Sequence, residues 1–445
     1  MNLLFEHGCI ITVNPQEEVF RDGWLLVEDG KIAGLGDGAY DGPVAADRRI
    51  NAAGHAILPG IVDYHTHVCG SLFKGLTEDV DNGFYRLALP MEDVLTHDAV
   101  YTLSMLGILE ALRGGVTLIN DLYHYMDATA QAVADMGIRG VLAHKIIERN
   151  LANLCRQDYT LLPEEGRRRL ADGIALVEKW HNACNGRILC KLGPHATDTI
   201  SVELAKQIVD EGRRLGVGFH IHVAQKQQEV AFLRETYGLT PVEYLEETGL
   251  LGPDTVAAHC KFLTEHDKTL LRESGLVFAH CCETSGKRGA LPPMKEIIDA
   301  GVPFCLGTDW LTTDPWTNMR ITVIADRLLG CSTQDINAAK ALRKSTIEAA
   351  CALGLGERIG SLEAGKEADL VMLSLQSANL VPLFDDPVAT IVYNANRHDV
   401  KLVMVQGDIL VQDGRLTRQD EAAILREGQR TAASCLLYPS PSPRD

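Results

Sequence analysis

From residue 57 to residue 307 the chain repeats one pattern, a short apolar run followed by a helix-length amphipathic segment. The apolar runs are Ile57–Tyr64, Val116–Asn120, Gly140–Ala143, Ile188–Leu192, Val217–Val223, Thr255–Ala258, Leu276–Ala279 and Phe304–Gly307. Between them lie Asp98–Arg113, Ala128–Met136, Pro163–His181, Val202–Leu215, Pro241–Glu247 and Glu265–Glu273. Strands that alternate with helices form parallel βαβ units. Gly114, Gly216 and Gly275 stop helices where the next strand begins. Thr240-Pro241-Val242-Glu243 has a capping-box pattern with proline at the first helical position. Eight such strands predict an α/β fold, a (β/α)8 TIM-like barrel. The stretch from His65 to Asp309 is close to the ~250 residues that a barrel of this kind needs. A doubly wound sheet is the competing architecture.

The ends of the chain read differently. Leu3–Val13 and Trp24–Val27 are strand-like, and Glu28-Asp29-Gly30-Lys31 signals a hairpin, because Asp-Gly suits the positive-φ positions of a tight turn. A matching pattern returns at Ala368–Leu373, Ile391–Tyr393, Lys401–Val405 and Ile409–Val411. The expectation is a small β-sandwich domain built from residues 1–56 and 360–420, flanking a barrel over 57–359. From Ser434 onward proline and serine alternate, so 434–445 is expected to be a disordered, non-native tail.

A net charge of −18 argues against a nucleic-acid partner or an anionic membrane surface. No stretch of about 18 uncharged apolar residues is present, and the N-terminus lacks a basic segment. The twelve cysteines show no Cys-X-X-Cys spacing. They read as reduced, mostly buried thiols of a cytoplasmic protein rather than as a zinc–thiolate cluster. Pairing through the barrel exterior would make a homo-oligomer, but no sequence feature fixes one.

The first apolar run ends in His65-Thr66-His67. Residues two apart on a strand point the same way, so this pair offers two imidazoles on one face. His222 ends the fifth run, His259 the sixth, and Asp309 follows the eighth. Barrel closure sets the eighth strand beside the first, and catalytic groups gather at the C-terminal mouth. Three imidazoles and a carboxylate suit one divalent ion, zinc before iron, with a position left for water. Such an ion lowers the pKa of water to roughly 7. Asp309 can bind metal and accept the water's proton, and His259 can orient the water or the oxygen anion that forms.

On these residues the chain resembles the amidohydrolase superfamily, in the branch of S-adenosylhomocysteine and methylthioadenosine deaminases and triazine hydrolases. The likeness covers residues 1 to about 420. It includes Leu58-Pro59-Gly60, Gly193-Pro194-His195, Ala258-His259-Cys260, Leu306-Gly307-Thr308-Asp309 and Ile359-Gly360-Ser361-Leu362-Glu363-Ala364-Gly365-Lys366-Glu367-Ala368-Asp369-Leu370. The resemblance implies His65, His67, His222 and Asp309 as metal ligands, His259 at the water, and Glu92 and His195 facing the substrate. The chain departs from that branch after its fifth strand, where His222-Val223-Ala224-Gln225 replaces His-X-X-Glu. It departs again at His280-Cys281-Cys282-Glu283-Thr284-Ser285, and at Trp310, where a glycine is usual. The third strand ends Leu142-Ala143-His144-Lys145, without an arginine to grip an amino-acid carboxylate.

Several readings stay open in the sequence. His220 shares a face with His222, and spacing does not choose between them; the resemblance favours His222. His280 reads as a supporting or core residue, and His124 and His144 as strand-end histidines. Lys191 is either a carboxylated bridging lysine or a core-edge lysine. Glu283 is either a loop charge or a substitute for the missing glutamate, and Glu92 either touches substrate or favours a helix N-terminus. The expected activity is a deaminase: hydroxide attacks an amine-bearing carbon of a nitrogen heterocycle, ammonia leaves, and Gln225, His259 and Asp309 take part. Displacement of another group such as chloride or an alkylamine, or opening of a cyclic amide, is the alternative. A metal-binding protein without catalysis is the remaining class.

Overall fold

A computed structural model of the chain describes residues 2–436, apart from 82, 93, 155 and 385. Two sheets organise it. Barrel strands are β6 (Ile61–Thr66), β7 (Val116–Tyr123), β8 (Arg139–Ile146), β9 (Ile188–Pro194), β10 (Phe219–Val223), β11 (Thr255–His259), β12 (Val277–His280) and β13 (Phe304–Leu306). All are parallel and pair in sequence order. Just past its last strand the ring closes: Asp309 N–H donates to the His65 carbonyl (2.8 Å) and His67 N–H to the Asp309 carbonyl (3.0 Å). Gly307 permits this approach, because a Cβ there would lie 2.7 Å from the His65 carbonyl oxygen.

The strands are buried on both faces, as parallel strands covered by helices must be. Val62, Tyr64, Leu118, Val141, Val256, Ala258, Ala279 and Cys305 fill the inside of the ring. The alternate residues meet the surrounding helices in the larger outer core. The helices expected between strands form at His97–Arg113, Met126–Met136, Pro163–Trp180, Val202–Leu215, Pro241–Thr248 and Glu265–Ser274. The capping box at Thr240 and Glu243 is present in both directions. Helices at Gln227–Tyr237 and Pro315–Leu328 were not read from the sequence.

The terminal sheet joins β1 (Leu3–Ile11), β2 (Val19–Glu28), β3 (Lys31–Asp37), β4 (Arg48–Asn51) and β5 (His55–Pro59) to β14 (Leu370–Ser374), β15 (Val400–Val405), β16 (Asp408–Gln412) and β17 (Arg415–Leu416). The expected β-sandwich is one mixed sheet of nine strands, in the order β17-β16-β15-β14-β5-β1-β2-β3 with β4 on β1. The sheet curls until its turns meet: the Asp29-Gly30 turn, at φ 46° and 78°, lies against Gln406 and Gly407.

Three local expectations are corrected. The run Ile57–Tyr64 is two strands in two sheets, broken at Gly60, where a Cβ would strike Thr117 at 2.2 Å. Ile391–Tyr393 is not a strand but part of the helix Pro387–Asn394, started by Pro387 and by the Asp386 side chain capping Val388 N–H. A three-residue apolar run fits either structure. Ser434–Leu436 end the helix Glu421–Leu436 with Cys435 buried; the rest of the expected tail lies outside the described residues.

Candidate active site

Five side chains converge at the mouth. Asp309 Oδ1 lies 3.3 Å from both His65 Nε2 and His67 Nε2. His222 Nε2 lies 3.4 Å from His67 Nε2. His259 joins them, since one donor atom from each of His65, His222, His259 and Asp309 falls within 4.8 Å of the others. All five residues are buried. His259 and Asp309 hold positive φ, 83° and 62°. Strain of this kind costs on the order of 1–3 kcal/mol per residue and gathers at sites whose surroundings enforce it.

Hydrogen bonds decide which nitrogens face the centre. His222 Nδ1 donates to the His195 carbonyl at 2.7 Å, leaving the Nε2 lone pair directed inward. His65 Nδ1 contacts His220 Nε2 at 2.7 Å, so His220 supports His65 from behind and His222 stands in the cluster. Asp121 lies beside His67 Nδ1 at 3.8 Å while its other oxygen accepts from Val68 N–H. Burial pushes the Asp309 carboxyl up, but the imidazoles of His65 and His67, each 3.3 Å from Oδ1, outweigh it and hold the group well below the usual range. For His65 and His222, burial dominates and lowers the pKa.

These residues fit a metal ion. His65 Nε2, both nitrogens of His259 and Asp309 Oδ2 are buried without a hydrogen-bond partner. Inward-facing imidazole nitrogens this close repel unless a cation lies between them, and the His and Asp donors suit zinc or iron.

The chain belongs to the amidohydrolase family. The family's model matches residues 56–410. Over 97% of its length the chain is 33% identical to a 5'-deoxyadenosine deaminase of Methanosarcina mazei, covering 98% of that protein. It is 34% identical, again over 97% and 98%, to a 5-methylthioadenosine/S-adenosylhomocysteine deaminase of Desulforudis audaxviator. Among solved structures, a Xanthomonas campestris adenosine deaminase with bound zinc superposes with TM-score 0.89 at 27% identity, covering 98% of each chain. The fold is shared with the zinc complex of an Arthrobacter aurescens atrazine chlorohydrolase (TM-score 0.85, 22% identity, 97% and 100% covered). The chain is accordingly a hydrolase of carbon–nitrogen bonds with a metal-binding site.

The other expected site residues are placed as follows. His195 is buried, its ring centroid 5.1 Å from that of His222 and its Nδ1 3.1 Å from Thr199 Oγ1. Gln225 is half-buried just beyond β10, its N–H held by Glu229 at 2.7 Å. Glu92 is buried in an ion pair with Lys145 (2.9 Å) and accepts from His124 at 2.9 Å. Arg169 donates to His124 Nδ1, which leaves His124 Nε2 as the donor to Glu92. Glu283 pairs with Lys287 in its own helix. Lys191 donates to the Asp254 carbonyl, just before β11 begins and so at the end of the barrel opposite the mouth. That disfavours a bridging role for Lys191.

Two cavities flank the mouth. One, of about 540 Å³, is lined by Glu92, His124, His144 and Arg169. The other, of about 520 Å³, is lined by Lys226, Arg288, Trp310 and Leu311. The second adjoins the cluster directly, since Trp310 follows Asp309 and Lys226 lies four residues past His222. Trp310 stacks on Phe73 (5.0 Å) and stands 5.4 Å from the His67 ring. The indole thereby walls one side of the site. Asp121 was missed in the sequence, although the polar pair Asn120-Asp121 at an apolar strand's end was the available signal.

Proposed function

We propose that the protein is a mononuclear, zinc-dependent aminohydrolase of nitrogen heterocycles, with His65, His67, His222 and Asp309 as ligands. The observation that carries this reading is the set of inward-facing, hydrogen-bond-deprived donors around Asp309. The names of the deaminase relatives support the reaction class. A divalent ion held there lowers the pKa of a water to about 7 and so supplies a nucleophile at neutral pH. Asp309 takes the water's proton and passes it to the departing amine as the carbon–oxygen bond forms and the carbon–nitrogen bond breaks. His259 holds the oxygen that gains charge. Gln225 donates and accepts hydrogen bonds but transfers no proton, which suits a ring whose nitrogen already carries hydrogen. Glu92 and His195 bind the substrate, Glu92 through the polar network it anchors with Lys145 and His124.

The ligand assignment has a direct test. Elemental analysis of the purified protein is expected to give close to one equivalent of zinc. His67→Ala should lose metal and turnover while keeping its circular dichroism spectrum, because the barrel core does not depend on the mouth. Two equivalents of metal, or full metal retention in His67→Ala, contradicts the assignment.

A further inference from the structure

One buried carboxyl joins two strand ends at the mouth, and the reaction above does not use it. Glu229 lies in the first turn of the helix Gln227–Tyr237 with 3% of its surface exposed. Its Oε1 accepts from Ala224 N–H (2.9 Å) and from the Thr197 hydroxyl. Its Oε2 accepts from Gln225 N–H (2.7 Å). Thr197 is two residues past His195, and Ala224 is two past His222. A single side chain therefore links the exits of β9 and β10, the segments that carry His195, His222 and Gln225.

The local backbone shows why such a link matters. The ladder between β10 and β11 ends at Val223 and His259. Past it the chain turns at Ala224, whose φ of 49° lies in the left-handed region. A non-glycine residue keeps that conformation where its surroundings enforce it. Lys261 N–H bonds the Ala224 carbonyl, and Glu229 takes the N–H groups of Ala224 and Gln225. In a capping box the side chain at this helix position bonds the N-cap N–H, here that of Lys226. Glu229 instead reaches one and two residues beyond the N-cap, into the loop of the site. The Gln225 amide group makes no hydrogen bond among the described residues, so its aim is set through its backbone. Burial first, and Asp198 second, push the Glu229 carboxyl up, while its bonds with Thr197, Gln225 and Ala224 pull it down. A carboxyl oxygen accepts from an N–H in either protonation state, so the link holds in both.

We propose that Glu229 is a positioning residue, whose carboxyl clamps the exits of β9 and β10 together and so aims Gln225 at the bound ring. This inference rests on the aminohydrolase reading and deepens it. Glu229 touches neither metal nor ring; it acts through the backbone of Gln225. Glu229→Gln keeps the shape of the side chain but turns an NH2 toward one of the two N–H groups it now serves. One of them loses its partner, and the Gln225 loop loosens.

Ammonia release by the zinc-loaded protein from adenosine, cytosine, guanine, pterin and melamine gives the test, with kinetics on the compound turned over fastest. Glu229→Gln should raise KM about 10-fold, the size of one lost hydrogen bond to a charged group, and lower kcat less. Zinc content should stay at the wild-type level. In a Gln225→Ala background the same substitution should change KM by less than about 2-fold, because the group it aims is gone. Thr197→Val should show the same coupling more weakly, and it decides the matter if Glu229→Gln does not fold. Unchanged KM, or an equal loss in both backgrounds, overturns the inference, since a merely structural residue adds its effect to that of Gln225. Hydrogen exchange separates this inference from the reading beneath it. The Ala224 and Gln225 amides should exchange roughly 10-fold faster in the variant, with Phe219–Val223 unchanged. Unchanged exchange refutes the clamp whatever the activity. Faster exchange at those two amides, with no ammonia from any of the five compounds, refutes the aminohydrolase and keeps the clamp.

Discussion

His222 shows how one hydrogen bond sets the chemistry of a side chain. Its bond to the His195 carbonyl fixes the tautomer, and the tautomer turns a lone pair toward the centre. His259 is bound by no such partner, since both of its nitrogens are buried without one. That freedom suits a residue that meets a reacting oxygen. His259→Asn should lower turnover by roughly 10²–10³, the range for losing one such donor, with metal content unchanged by elemental analysis. Loss of metal in that variant means that His259 is a ligand instead. Gln225 gives a second residue-scale prediction. Gln225→Glu should reduce kcat/KM on the true substrate, because a carboxylate loses the amide's donor; a large gain would show that the amide is merely a weakened proton shuttle. The residues of the mouth cluster were legible because each ends or follows an apolar run, a local pattern. Asp121 beside His67 and the support of His65 by His220 were not, because those contacts exist only once distant strands meet.

At the scale of elements, β12 and the helix Pro315–Leu328 are joined by an ion pair between His280 and Asp326 (3.2 Å), both fully buried. Burial lowers the His280 pKa, but the Asp326 carboxylate outweighs it and raises the ring to about 10. A group raised above its unfolded value of about 6.5 stabilises fully below that value and loses the contribution as pH rises through the folded value. Asp326→Asn should therefore cost about 3–5 kcal/mol at pH 6 in urea melts, and the difference from wild type should shrink toward pH 10. A pH-independent difference contradicts the charged pair. The strand–helix alternation was legible because parallel strands buried on both faces read as unbroken apolar runs. Boundaries were less so: Gly60 divides one run between two sheets, and proline with an aspartate cap turned Ile391–Tyr393 helical. The expectation for His280 as a supporting residue agrees with its pairing, which faces the helix rather than the mouth.

Across the whole molecule, a buried cation helps to tie the terminal sheet to the barrel. Arg139, at the start of β8, binds Asp369 through two hydrogen bonds (2.6 and 2.8 Å) and also reaches Glu367. Asp369 in turn accepts from Gln406 N–H, so the link runs on into the turn between β15 and β16. The C-terminal strands are thus held to the barrel where β8 begins, and the mouth is left to β6, β10, β11 and β13. Among the described residues no helix is long and apolar enough to cross a membrane. Barrel and site class could be inferred from the sequence because His65 and Asp309 bracket the ring whose closure unites them; the substrate could not, because cavity walls such as Trp310 and Arg288 come from loops. The most direct test of the account is ammonia release by the metal-loaded protein across a panel of aminated heterocycles. One ammonia per heterocycle consumed, abolished by Asp309→Asn, is the predicted result. Stoichiometric metal with no ammonia from any member of the panel would contradict it.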